Sequence, residues 1–272
     1  MNFINCENTI SNRLVEKTVA FWSENSMQHI TSLLRSTNGT TAVLQPYFRE
    51  ELKNFSEEFK NFKEIYSKNT PRQTVRPMGF LRTNARFINL LERIKYEGFS
   101  GYPILQQSVF HYIYEQRYVN AVLGVNNPLN NVLITEYFLP FQNYNCIYNQ
   151  MYFWCIIGSM HPSLLMGNNG FYNAINGYSK EFLTDICNNF NLMNFKLSSL
   201  KKPIKKGALQ PLIAEFKALN LSFLEFLKLV KSGNPRIFTN VGNLMLSNTL
   251  YATVEHMIKE HSLVEEISRN FN

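Results

Sequence analysis

Apolar residues recur along this chain at spacings of three and four, and strand-like alternation is hard to find over any useful length, so the pattern predicts helix almost throughout. Val15, Val19, Trp22, Ser26, His29 and Leu33 share one face of a first helix. Phe48, Leu52, Phe55, Phe59 and Phe62 mark a second, with the Glu and Lys of REELKNFSEEFKNFK on its other side, and the polar, proline-containing NTPRQTVRP ends it. A third helix runs from about Met78 to Tyr96 on Phe80, Phe87, Leu90, Leu91 and Ile94. GFSGYP follows, its proline suited to a helix's first turn, and a fourth helix runs through ILQQSVFHYIYEQRYVNAVL. The second half repeats this grammar, with helices over Ile147 to Met166, Phe171 to Phe195, Leu209 to Lys231 and Val241 to Ser268. Between the halves, GVNNPLNN is the best linker in the chain. The expected plan is all-α: a four-helix repeat over 1–124, a linker over 125–140 and a second four-helix repeat over 141–272.

An internal comparison sharpens this plan. FWSENSMQH in the first helix places Trp22 seven residues before His29, and FWCIIGSMH in the first helix of the second half places Trp154 seven before His161. The last helix of each half adds HYIYE, with His111 and Glu115, and HMIKE, with His256 and Glu260. Four of the five histidines thus fall at corresponding places, which a residue this rare would not do by chance. The halves read as a tandem duplication.

The repeated residues carry chemistry. A His and a Glu at i and i+4 sit on one helical face with their Cβ atoms about 5 to 6 Å apart, so imidazole and carboxylate can converge on one cation. In an up-down bundle the first and last helices are antiparallel neighbours, and metal sites in bundles are built from inward side chains on facing helices. The expected ligand sets are His29, His111 and Glu115 in one half and His161, His256 and Glu260 in the other. Two imidazoles and a carboxylate with open positions form the set associated with non-haem Fe(II). The same residues also read as buried polar pairs that fix helix register, each Glu satisfying a core histidine. Trp22 and Trp154 read as core anchors.

At these residues the chain resembles a two-repeat, ferritin-like helical family of spore-forming Firmicutes, classed as a domain of unknown function. FWSENSMQH and YPILQQSVFHYIYE carry its first repeat, and FWCIIGSMH and VEHMIKE its second. The resemblance implies two ferritin-like bundles, iron or manganese in at least some members, and a cytoplasmic or spore-associated protein. The family tends to carry an acidic residue three before the Phe, where Thr18 and Gln150 stand here, and often one just before the first-helix His, where Gln28 and Met160 stand. Each of those acids would be a ligand or would hold an imidazole in its tautomer. Pro162, directly after His161, removes a helical hydrogen bond and bends the axis, which makes the second site the less secure of the two.

Composition narrows the alternatives. With 272 residues and 45% hydrophobic content the chain can bury a substantial core, so disorder is not the default. The formal net charge of +7 is spread over several segments, and its one knot, KKPIKK, reads as a solvated helix start. No helix-turn-helix or zinc-finger spacing accompanies it, so no specific nucleic acid is expected. The four cysteines form no framework and are expected as reduced, buried thiols. No signal peptide or membrane span is expected, and MYFWCIIGSM reads as a buried helix core. Nucleophile-elbow, P-loop and dinucleotide motifs are absent, and no reaction is assigned. A metal-free structural or self-associating protein on the same scaffold is the alternative, favoured by a chain rich in Asn, Tyr and Phe.

Overall fold

The spacing of three and four is realised as helix in a computed structural model that describes residues 12–36, 44–67, 77–99, 101–123, 144–201, 204–239, 248–269 and 271. Among them the fold is all-α with no strand. The chain divides into two compact units, one over Phe3–Pro140 and the other over Phe141–Asn272. The expected linker, Gly124 to Asn131, lies outside the described residues.

In the first unit the helices are α1 (Asn12–Ser36), α2 (Pro46–Ser67), α3 (Met78–Arg93) and α4 (Pro103–Leu123). A π-helical turn, Ile94–Gly98, extends α3. Gly101, at φ +89°, then turns the chain into Pro103, the first residue of α4. Successive helices pack on one another and α4 returns to α1, which closes the arrangement around one core. That core is aromatic: Phe59 meets Phe80 and Phe87 at ring-centroid distances of 6.0 and 5.3 Å, and Phe55 lies 5.4 Å from Phe87. Each such ring, taken out of water, contributes about 1.5–3 kcal/mol.

The second unit holds α5 (Tyr144–Gly167), the short α6 (Asn169–Ala174), α7 (Gly177–Ser198), α8 (Lys206–Lys231) and α9 (Asn248–Ser268). Here α5 packs on α7 and α8, α7 on α8, and α8 on α9. The expected helix from Phe171 to Phe195 is broken at Ile175 and Asn176. The cause is a competing set of hydrogen bonds. The Asn176 side chain accepts from the Ser179 backbone and caps α7, while its own backbone N–H donates to the Ile237 carbonyl at 2.9 Å. Ile175 and Phe238 pair there as an isolated antiparallel bridge. Residues 241–247 of the last expected helix lie outside the described residues, and α9 is described from Asn248.

MYFWCIIGSM is the buried centre of α5, and no helix of the described residues is long and apolar enough to cross a membrane. Ile204 is buried while Lys201, Lys205 and Lys206 around it are exposed, so the described part of KKPIKK is a solvated helix start. The expectation of reduced thiols holds for Cys155 and Cys187 but fails at Cys146, which is disulfide-bonded. Short-range spacing gave no hint of this, because a disulfide depends on which chain segments meet and not on their separation in sequence.

α5 continues through Pro162. The carbonyl that the proline ring would crowd belongs to Gly158, four residues earlier. Gly158 has a second role: a Cβ built there would lie 2.6 Å from the fully buried Phe190 ring. Gly158→Ala is therefore expected to lower unfolding free energy by about 1–3 kcal/mol through overpacking, despite alanine's better helix propensity. Urea denaturation checks this, and an unchanged or raised midpoint would contradict the packing described.

Candidate metal centre

A carboxylate in a dry core needs compensation, and each unit supplies it with two imidazoles. In the first unit Glu115 and His111 lie one turn apart on α4, and α1 brings His29 across to them. Glu115 Oε2 lies 3.1 Å from His29 Nε2, and Oε1 lies 3.0 Å from His111 Nε2. The donor atoms of the three residues fall within 4.8 Å of one another, and none of the side chains is more than 1% exposed.

The second unit repeats this atom for atom. Glu260 Oε2 lies 3.1 Å from His161 Nε2, and Oε1 lies 3.3 Å from His256 Nε2. All six residues singled out in the sequence are thus brought together three by three, and Pro162 does not displace His161 from its Glu.

These separations suit coordination as well as hydrogen bonding. Two donors each about 2.1 Å from one centre and at right angles to it stand about 3.0 Å apart. Nitrogen and oxygen donors of this mix suit Fe, Mn or Zn more than Ca or Mg. The buried His and Glu groups can therefore hold a metal ion.

The surroundings hold the imidazoles in place by different means in the two units. Tyr112 stacks on His29, with ring centroids 3.9 Å apart and planes 21° from parallel, and its hydroxyl donates to Ser32 Oγ. His161 instead meets another histidine, its Nδ1 lying 2.9 Å from His261 Nε2, and His261 Nδ1 lies 2.7 Å from Asn220 Oδ1. Thr18 and Gln150, at the positions where the resembled family tends to carry acids, are both buried, and Gln28 and Met160 are half-buried.

Asn84, Asn220, Gln116 and His261 were missed in the sequence. Asn84 Nδ2 donates to the Gln116 backbone carbonyl at 2.9 Å, and Asn220 Nδ2 donates to that of His261 at 3.1 Å. Gln116 and His261 each directly follow the central Glu, so the two asparagines do the same thing in both units. A signal for them exists. Phe80, Asn84, Phe87 and Leu91 are spaced as Phe216, Asn220, Phe223 and Leu227, a shared F-x3-N-x2-F-x3-L on the third long helix of each half. All eight side chains are buried. An asparagine repeated inside an apolar stripe marks a core hydrogen bond.

Compared with protein-family models and with curated proteins, the chain matches none.

Burial pushes the pKa of His161, His256 and His261 downward, and the neighbouring imidazoles reinforce this for His161 and His261. Glu260 opposes it at His256 and His261 without reversing it. In the native, metal-free protein these rings are therefore neutral under conditions where the unfolded chain, titrating near the ordinary value of about 6.5, takes up protons. Their stability contribution is complete above about pH 6.5 and is lost as pH falls below it, by about 1.4 kcal/mol per pH unit for each histidine that stays neutral. Urea midpoints of the metal-free protein should fall from pH 7 to pH 5. A midpoint that is flat or rises on acidification would contradict this.

Proposed function

We propose that this is a metal-binding protein built from two ferritin-like helical repeats, with a His/His/Glu centre in each: His29, His111 and Glu115, and His161, His256 and Glu260. The observation that carries the reading is the sharing of one buried carboxylate between two Nε2 atoms, made twice from corresponding residues. A duplicated origin is supported by that repetition and by the shared F-x3-N-x2-F-x3-L stripe. It is supported also by long helices of 25, 22, 16 and 21 residues in one unit against 24, 22, 26 and 21 in the other.

Iron or manganese is the ion that the mixed imidazole and carboxylate donors and the family resemblance favour. A bound ion of this kind would supply Lewis acidity or one-electron chemistry. The chain's own contribution is to present three donors per site on rigid helices and to keep bulk water from them. No reaction is assigned.

A second reading keeps the same geometry without a metal, as a register device in a self-associating, spore-associated protein. Its support is the exposure of large aromatic residues on α7, with Tyr178 75% and Phe195 68% exposed.

Metal analysis separates the two. Protein dialysed anaerobically with Fe(II) or Mn(II) is expected to retain two ions per chain, Glu115→Ala or His111→Ala to retain one, and the Glu115→Ala/Glu260→Ala double variant none. Sub-stoichiometric metal that is indifferent to these substitutions would sink the metal reading and leave the structural one.

A further inference from the structure

Beside the first-half triad lies a buried polar cluster that the triad does not use. Ser23 and Ser26 are three apart on α1 and Gln116 and Asn120 four apart on α4, so each pair shares a helix face. The two helices meet antiparallel, in contacts that run His29 to Tyr112, Ser26 to Gln116 and Trp22 to Tyr118, which brings Ser23 level with the turn of α4 that follows Gln116. From α3, Asn84 Nδ2 donates to the Gln116 backbone carbonyl at 2.9 Å and to Asn120 Oδ1 at 3.0 Å. Ser26 Oγ lies 2.8 Å from the Trp22 carbonyl and 3.2 Å from Gln116 Oε1. Three helices thus gather polar side chains one residue from Glu115 and one turn from His29.

Their hydrogen bonds do not close. Ser23 Oγ, Asn84 Oδ1 and Gln116 Nε2 have no partner among the described residues, and all three residues are 0% exposed. The Asn84 amide cannot be turned round to mend this, because its Nδ2 faces a backbone carbonyl, which only accepts. Turning the Gln116 amide gains nothing: it exchanges the atom that faces Ser26 and leaves the other without a partner. Buried polar atoms are almost always paired, with protein or with ordered water. A guest here must donate to Asn84 Oδ1, meet the free atom of the Gln116 amide as acceptor or donor, and share a hydrogen with the Ser23 hydroxyl. Water does all three, and a buried water typically makes about three such bonds.

The corresponding places in the second unit are closed. Counted from the Trp and the Glu of each half, Cys155 stands for Ser23, Gly158 for Ser26 and His261 for Gln116. The Phe190 ring fills the space over Gly158, so near that a Cβ there would lie 2.6 Å from it. His261 sets one ring nitrogen 2.7 Å from Asn220 Oδ1, the atom that is unpaired in Asn84, and the other 2.9 Å from His161 Nδ1.

We infer that Ser23, Asn84 and Gln116 form an internal water site beside the first-half centre, and that the second unit has none at the corresponding place. The first centre then has exchangeable O–H groups within the protein, and the second is dry on this side. The site is a property of the metal-free chain and does not need the metal reading.

Nitrogen-15 NMR of the metal-free full chain, with Asn and Gln side chains labelled and assigned through the backbone, tests it. The Asn84 and Gln116 side-chain amides are expected to show Overhauser cross-peaks to a long-lived water, and that of Asn220 to show none. Gln116→Leu, which removes one partner at similar volume, should abolish the Asn84 cross-peak, with circular dichroism confirming the fold. Where that variant does not fold, the wild-type contrast between Asn84 and Asn220 decides alone. A crystal structure should place a water oxygen about 2.7–3.2 Å from both Asn84 Oδ1 and the Gln116 amide. Asn84 and Gln116 amides without a water cross-peak in the folded wild type would overturn the inference. So would an equal cross-peak at Asn220, an Asn84 cross-peak unchanged in folded Gln116→Leu, or a crystal structure in which the two amides pair with protein groups instead. A chain that shows this water but takes up no metal would uphold the site and overturn the metal reading alone.

Discussion

The structure of each unit depends on a glutamate that is fully removed from water and shared between two imidazoles. A lone carboxylate there would cost several kcal/mol, and each Glu is made tolerable only because the first and last helices of its unit deliver histidines to both of its oxygens. The helices cannot slide by a residue without breaking that arrangement. The cluster therefore selects a single packing from the many that an aromatic core would otherwise allow. Tyr112 behind His29, and His261 with Asn220 behind His161, extend the constraint outward from the centre.

Much of this was legible in the sequence for physical reasons. Helical periodicity is strong when cores are built from Phe and Leu at spacings of three and four, and histidine is rare enough that two matched placements stand out. The meeting of His29 with His111 and Glu115 follows once the first and last helices are neighbours. The break at Ile175 and Asn176 was not legible, because its cause is the Ile237 carbonyl, sixty-odd residues away in sequence, and an asparagine within an amphipathic pattern looks like any exposed position. Cys146 escaped for a similar reason, since disulfide pairing follows the meeting of segments. Asn84 and Asn220 were within reach: their shared stripe is visible to a comparison of the halves that includes polar residues and is not confined to histidine and tryptophan.

The two units keep the same inner triad and differ one step outward. Ser26 with Gln116 fills the place in one that Gly158, Phe190 and His261 fill in the other, so the residues that differ between the two units at these places are contact partners within each unit. The glycine leaves room for the phenylalanine, and the histidine makes the polar contact there, where a serine and a glutamine pair in the first unit. The triad has the same geometry in both units while its supports differ, as a constraint centred on the glutamate requires.

X-ray absorption spectroscopy of protein loaded with iron or manganese tests the central claim most directly. The account predicts a shell of light atoms at about 2.0–2.2 Å, with the outer scattering of about two imidazoles per ion. A shell without imidazole scattering, or one that contains sulfur, would place the metal elsewhere and contradict it.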